Sequence, residues 1–312
     1  MKNEIIEDEY LNSMQLLQAS KKSLLDSALY YASIGYPVLP LHNPVRKKRT
    51  VFCSCSDGRD CSKIAKHPRT RFGHKEATTD EAVIRAWWDK RPQANIGLLT
   101  GVESGLLVLD VDVKDGGQYS LDELEDDYRA ALKNKFESVS GTLTADSGSG
   151  GQHYYFKYPL DYRIGGSASL IGQGLDIRAE GNYIIAPPSR HQSGGEYSWF
   201  GINTPIEDAP SWLIYEILTA EKTQREVSIG SGNITSGKKI LTEKIKAGGG
   251  NTYLFGQVRG LINSFTEEEV LKRALERNQT DLERPLPEKE VQRMVKFAYR
   301  KYKSQRNLGL KK

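Results

Sequence analysis

"LLVLDVDV", residues 106–113, is an apolar run interrupted by two aspartates. Val108, Asp110 and Asp112 alternate with Leu107, Leu109, Val111 and Val113, and residues of this branching and density read as a buried strand. Alternate residues of a strand share a face, so Asp110 and Asp112 are expected side by side, roughly 7 Å apart. Burying a carboxylate is costly unless something neutralises it. Two on one face therefore call for a cation, and hard oxygen ligands suit Mg²⁺ or Mn²⁺. A pair of such ions about 3.5–4 Å apart is the arrangement that drives in-line phosphoryl displacement. The plainer reading is a set of aspartates on the solvent face of a sheet.

Two further segments follow in order. "SGSGGQHYYF", residues 147–156, is a glycine loop leading into a strand. Gly148, Gly150 and Gly151 leave backbone N–H groups to cradle a phosphate, with the hydroxyls of Ser147 and Ser149 beside them. It is not a Walker loop, because no Gly-Lys-Ser/Thr is present and a strand follows where a helix should. Alternation puts His153, Tyr155 and Lys157 on one face. Read alone, this is a flexible hairpin with an incidental histidine. In "GLDIRAEG", residues 174–181, Asp176 and Arg178 face one way, Leu175 and Ile177 the other.

The three cysteines all fall between residues 53 and 61, which does not suit a disulfide framework. With His67 they form C-x-C-x₅-C-x₅-H, the three thiolates and one imidazole of a closed structural zinc site, in a loop at 50–68. The C-x-C spacing is tighter than usual, and free thiols in a loop are the alternative. Arg46, Lys47, Lys48, Arg49, Lys63, Lys66, Arg69 and Arg71 surround this cluster, a basic loop suited to template or primer phosphates.

At 312 residues the chain has room for two domains. No window nears 18 consecutive apolar residues and the N-terminus lacks an apolar signal core, so the expectation is a cytoplasmic protein with no membrane partner. The net charge is +4. Residues 238–312 carry 18 Lys and Arg against 9 Asp and Glu, a net +9, which leaves the rest of the chain at −5. A basic end on a near-neutral protein points to a polyanion, or simply to a solvated helix face.

Periodicity lays out an N-terminal helical extension at 1–21 and a mixed α/β body at 22–215, with antiparallel pairs. "GLDIRAEGNYIIAPPS" reads as a hairpin turning near Glu180–Gly181, and "TTDEAVIRAWWDKRP" as a helix capped by Thr79. A Gly/Ser-rich linker at 216–237 and three helical patterns at 238–312 follow. The second of these opens on a Thr266–Glu269 capping box.

The ordered set of the three segments resembles the catalytic motifs of the archaeo-eukaryotic primase superfamily, most closely its bifunctional primase–polymerase branch on plasmids, phages and other mobile elements. "ALYYASIGYPVLPLH", "KHPRTRFGHKEATTDEAVIRAWWDKRPQANIGLLTG" and "YIIAPPS" are also similar to that branch, and the helical end resembles the primase C-terminal domain often attached to it. The resemblance implies an α+β fold, an RRM-like core with a mixed or antiparallel sheet, then a small all-α domain. It implies two-metal nucleotidyl transfer from NTPs or dNTPs on single-stranded DNA, with Asp110, Asp112 and Asp176 as Mg²⁺ or Mn²⁺ ligands. It further implies that His153 contacts the nucleotide phosphates, with Ser147, Ser149 and Gly151 assisting and Arg178 as a further contact. Similar cysteine-rich insertions in the family support Zn²⁺ at Cys53, Cys55, Cys61 and His67. Many relatives continue into a helicase; this chain stops, so either a separately encoded replicative helicase is the expected partner or the sequence is a piece of a longer protein. The competing readings are a non-catalytic replication-initiation or helicase-loading protein, and a metal-dependent nuclease.

Overall fold

The computed structural model describes residues 23–200, 204–229, 254–255, 257–258 and 266–306. The extension at 1–21 and most of the helical pattern at 251–264 lie outside the described residues. The chain forms two compact units: Met1–Asp122 with Ser138–Ala209, and Glu123–Glu137 with Pro210–Lys312.

The first unit starts with helix α1 (Leu24–Ser33), where the Ser23 hydroxyl accepts the Asp26 N–H. Strand β1 (Val38–Leu41) follows, then β2 (Pro44–Lys47), β3 (Thr50–Cys53) and helix α2 (Glu81–Lys90). Next come β4 (Asn95–Leu99), β5 (Leu106–Val111) and α3 (Gly117–Leu132), the last running across the division between the units. The unit is completed by β6 (Thr144–Asp146), β7 (Gln152–Lys157), β8 (Leu175–Arg178), β9 (Tyr183–Ala186), β10 (Ser198–Phe200) and β11 (Glu207–Asp208).

Three strands pair antiparallel in the order β1-β4-β9. A larger sheet has the order β10-β6-β7-β5-β8, with β11 joined parallel to β7. Within it β6-β7-β5-β8 are all antiparallel, and α3 carries the chain from β5 to β6. That order and that crossover are those of an RRM-like sheet. The connection from β7 to β8 is irregular, with bridges from Gly165 to Glu180 and from Ser167 to Ile177.

Register explains where polar groups can collect. Trp199, Ala145, His153, Asp110 and Asp176 form one row across five strands. At the β10–β6 end the row is apolar: Trp199 and Ala145 join Val108 and Tyr155 in a core with Tyr31, Ile84 and Trp88 from the helices. Each fully buried side chain of this kind contributes roughly 1.5–3 kcal/mol. Inside that core the Tyr31 hydroxyl donates to the Pro187 carbonyl at 2.6 Å and accepts from Trp199 Nε1 at 3.1 Å, so its polar atom is satisfied. At the β8 end the same face turns polar. On the opposite face Leu107, Leu109, Tyr154, Phe156, Leu175 and Ile177 are buried, while Phe200 at the β10 edge is exposed.

Four sequence expectations change. Strands β8 and β9 are not a hairpin: β8 pairs with β5 and β9 with β4, so the turn at Glu180–Gly181 passes the chain between sheets. Residues 44–53, within the stretch read as a basic loop, form the β2–β3 hairpin. The cap of α2 is Asp80, not Thr79; its carboxylate accepts the N–H groups of Ala82 and Val83, and two orphan donors outweigh one. Helix α4 (Ser211–Ile229) runs into the segment read as a linker.

In the second unit, Trp212 of α4 stacks on Tyr128 with ring centroids 5.1 Å apart and donates its indole N–H to the Glu137 carbonyl at 2.8 Å. Phe255 meets Tyr128 edge-on at 5.4 Å. Helix α5 (Glu267–Thr280) opens on the Thr266–Glu269 capping box, and α6 (Glu288–Arg306) follows. The buried Asn278 carboxamide holds the turn between them, donating to the Leu286 carbonyl at 2.9 Å and accepting its N–H at 2.8 Å.

Candidate active site

Asp110 sits in the middle of the sheet, directly opposite His153 of β7 on one side and Asp176 of β8 on the other. His153 Nε2 is 3.4 Å from Asp110 Oδ1. Arg178 lies two residues past Asp176 on the same face; its Nη2 is 2.7 Å from Asp176 and 3.1 Å from Asp110. One guanidinium thus spans both carboxylates. Asp110, Asp176 and Arg178 are each partly exposed, whereas His153 is buried. Burial holds the His153 imidazole below its ordinary pKa, partly opposed by the Asp110 charge. Its Nδ1 has no hydrogen-bond partner among the described residues.

Asp112 is placed differently from expectation. The strand ends at Val111, and Asp112 begins a short 3₁₀ turn, its carboxylate accepting the Lys114 N–H at 3.0 Å. Its own N–H donates to the Gly174 carbonyl at 2.9 Å and its carbonyl accepts the Gly117 N–H at 2.8 Å. Glycine is needed at this junction: a Cβ on Gly117 would stand 2.4 Å from the Gly174 carbonyl oxygen. The start of α3 and the approach to β8 are thus drawn against the end of β5. Asp112 remains part of the group, because its charge acts on His153, Tyr197 and Asp176.

Asp110 and Asp176, with the charge of Asp112 acting on Asp176, form an anionic patch; among the described residues it is the cysteine–histidine set, not these acids, whose ligand atoms converge as a metal site's do. Burial raises the Asp176 pKa, and the charges of Asp110 and Asp112 raise it further, against the Arg178 charge and the Ser169 N–H. Carboxylates that destabilise one another's ionised form gain from a hard cation among them.

The glycine loop is closed on itself. Ser147 donates its N–H to the Gly151 carbonyl at 2.7 Å, and its side-chain oxygen accepts the Gly151 N–H at 3.0 Å. The Gly150 N–H goes to the Ser147 carbonyl, so Gly150 and Gly151 do not leave their N–H groups free as expected. The Ser147 and Ser149 hydroxyls are 3.0 Å apart. A Cβ on Gly151 would come within 2.4 Å of the Val111 carbonyl oxygen, which places the loop beside the acids.

A residue that sequence reasoning passed over stands behind this loop. His191 is buried, with its Cβ against Gly148, and the neighbouring Ser193 hydroxyl donates to the Gly148 carbonyl. A lone histidine in "SRHQSGGE" has no period or spacing to betray it.

Cys53, Cys55, Cys61 and His67 bring their ligand atoms within 4.8 Å of one another. His67 Nε2 is 3.4 Å from Cys53 Sγ and 3.5 Å from Cys61 Sγ. Ligands at zinc distances in a tetrahedron stand roughly 3.5–3.8 Å apart, so the set fits zinc. The His42 ring stacks on His67 at 4.3 Å and fixes its plane.

The architecture is that of an α+β protein whose antiparallel sheet carries an acid–histidine row, followed by helices. Residues 28–212 match the family model of the bifunctional DNA primase/polymerase N-terminal domain, and residues 238–303 that of the primase C terminal 1 domain. The chain belongs to the bifunctional DNA primase/polymerase family, and both matches assign it to primase/polymerase work in replication. No curated protein matches the sequence. Among the described residues no helix is long and apolar enough to cross a membrane.

Proposed function

We propose that the chain is a template-dependent nucleotidyltransferase that makes primers on single-stranded DNA and extends them, using NTPs or dNTPs, in the replication of a plasmid, phage or other mobile element. The observation that carries this is the register row Asp176–Asp110–His153 with Arg178 across it. It puts anionic ligands, a buried imidazole and a guanidinium on one rigid face, as charge stabilisation during phosphoryl transfer demands.

Asp110, Asp112 and Asp176 are the residues we assign to Mg²⁺ or Mn²⁺, which when bound supplies a lowered pKa for an attacking hydroxyl and charge for the phosphates. Arg178 is assigned to the phosphates, released from the carboxylates when a cation neutralises them. His153, neutral at pH 7, donates from one ring nitrogen to a phosphate oxygen, while Ser147, Ser149 and Gly151 shape the loop beside it. Cys53, Cys55, Cys61 and His67 hold a structural Zn²⁺.

Extension of a labelled primer on single-stranded template with Mn²⁺, repeated without primer, tests this reading. Template-dependent product in the first supports the polymerase, and in the second the primase. One observation favours a second reading, a DNA-binding replication initiator without catalysis: the Arg178 bridge already neutralises Asp110 and Asp176. Stable DNA binding with no product in either assay selects it.

A further inference from the structure

Asn95 is fully buried, and its side chain ties together two segments distant in sequence. Its Nδ2 donates to the Ala65 carbonyl at 3.2 Å and to the Arg190 carbonyl at 2.8 Å. Its Oδ1 accepts the Arg190 N–H at 2.9 Å. Each tied residue is followed by a group able to meet an anion: Lys66 after Ala65, and His191 after Arg190.

The Lys66 backbone is tightly set. Ala65 has φ +64°, a left-handed conformation that costs a residue with a Cβ about 1–2 kcal/mol. It persists because Asn95 holds its carbonyl and its N–H reaches Cys53 Sγ at 3.5 Å. The Lys66 carbonyl accepts the Tyr183 hydroxyl at 2.8 Å. Backbone strain maintained by surrounding contacts marks a position worth its cost. The Lys66 side chain is half-buried and paired with no carboxylate among the described residues, and its charge acts on both His153 and His191.

His191 has the complementary property. Its Nδ1 accepts the Ser193 N–H at 3.1 Å, so in the neutral ring the proton sits on Nε2. Nε2 is buried and has no partner among the described residues. Burial, with the Lys66 and Lys114 charges, lowers the His191 pKa to about 4, which keeps that neutral tautomer at pH 7. A buried donor without an acceptor among the described residues, on a segment that Asn95 ties to that of an unpaired lysine, is able to meet an anion. The glycine loop closes the arrangement, since Gly148 packs on His191.

We propose that Lys66 and His191, clamped by Asn95, form an anion subsite behind the glycine loop that takes the triphosphate of the incoming nucleotide. This rests on the nucleotidyl-transfer reading of the acid row. It also connects the cysteine–histidine cluster to the site, because Lys66 adjoins His67 and a metal held there would help to fix the lysine's backbone.

The test uses the full chain and inorganic tripolyphosphate, which carries the anion chemistry without base or sugar, with a single-stranded oligonucleotide as a second arm. Lys66→Ala is expected to weaken tripolyphosphate binding about tenfold or more, the loss of one charge-assisted contact, with oligonucleotide affinity unchanged. Lys66→Arg should stay within about threefold of the parent, because the charge is kept. His191→Gln, a milder change, should also weaken tripolyphosphate binding, and it covers the case where Lys66→Ala does not fold. Unaltered tripolyphosphate affinity in a folded Lys66→Ala chain overturns the proposal. So does a loss confined to the oligonucleotide, which would assign Lys66 to the DNA backbone. Absence of primer-extension product from the parent chain would sink the functional reading while leaving this binding result intact.

Discussion

Asp110 and Asp176 are direct cross-strand partners, and the Arg178 guanidinium bridges their carboxylates. Like charges opposite one another on a sheet are destabilising, so the arginine performs in the metal-free protein the neutralisation that the acid row requires. Because these groups are partly exposed, the stabilisation is modest, on the order of 1 kcal/mol. Arg178→Ala should lower the thermal midpoint of metal-free protein, and Mn²⁺ should raise the variant's midpoint more than the parent's. Identical melting behaviour with and without Mn²⁺ in both proteins would refute this account of the bridge.

The cysteine cluster should hold about one zinc per chain, the stoichiometry of a single four-ligand set. Cys61→Ser or a strong chelator should remove it, and the β2–β3 hairpin, whose last residue is Cys53, should become more open to proteolysis. Metal analysis of freshly purified, reduced protein that finds no zinc ends the idea.

The glycine loop offers a contrast between neighbours. Gly151→Ala forces a Cβ against the Val111 carbonyl and must shift the loop away from β5. Gly150→Ala meets nothing within 4 Å and bears only the strain of its φ of +91°. Nucleotide incorporation should fall more than about tenfold in the first and much less in the second, a 1 Å misplacement being enough for such losses. Equal effects would mean that the loop's distance from the acids does not matter.

Residue types and local patterns were legible in the sequence; partners were not. The Thr266–Glu269 capping box was readable because both members lie in one turn of chain. Alternation put His153 and Asp176 on faces of strands, and register then aligned them with Asp110. But β8 and β9, separated by a glycine turn, carry the same signal whether they pair with each other or with β5 and β4. Alternation also runs through Asp112 without marking where the hydrogen-bond ladder stops. The run Arg46–Arg49 hid a hairpin because its tip is polar, and the Asn95 clamp joins residues 30 and 95 positions away.

Acid should weaken the fold partly through His191. Its folded pKa of about 4 lies below the ordinary 6.5, so between those values the unfolded chain binds the extra proton. The contribution of His191 to stability is therefore intact above pH 6.5 and is lost as pH falls toward 4. Urea midpoints measured across that window should drop with falling pH, and less steeply in His191→Gln. An unchanged slope in the variant would contradict the buried, neutral imidazole.

The second unit should contribute to template binding through charge. Lys289, Arg293 and Lys296 are exposed on α6. Reversing Arg293 and Lys296 to Glu should weaken single-stranded DNA binding and flatten its salt dependence by about 0.7 per lost phosphate contact. Extension of a preformed primer at saturating template should be retained. Parallel salt plots for the two proteins would assign this face to protein partners instead.

The central claim is that Asp110, Asp112 and Asp176 act together in nucleotidyl transfer. Primer extension with Mn²⁺ by Asp110→Asn and Asp112→Asn chains, each checked for a native circular dichroism spectrum, tests it most directly. The account predicts loss of product by about three orders of magnitude or more in both, as removal of charge from a metal-dependent site entails. Extension at the parent's rate by either folded variant contradicts it.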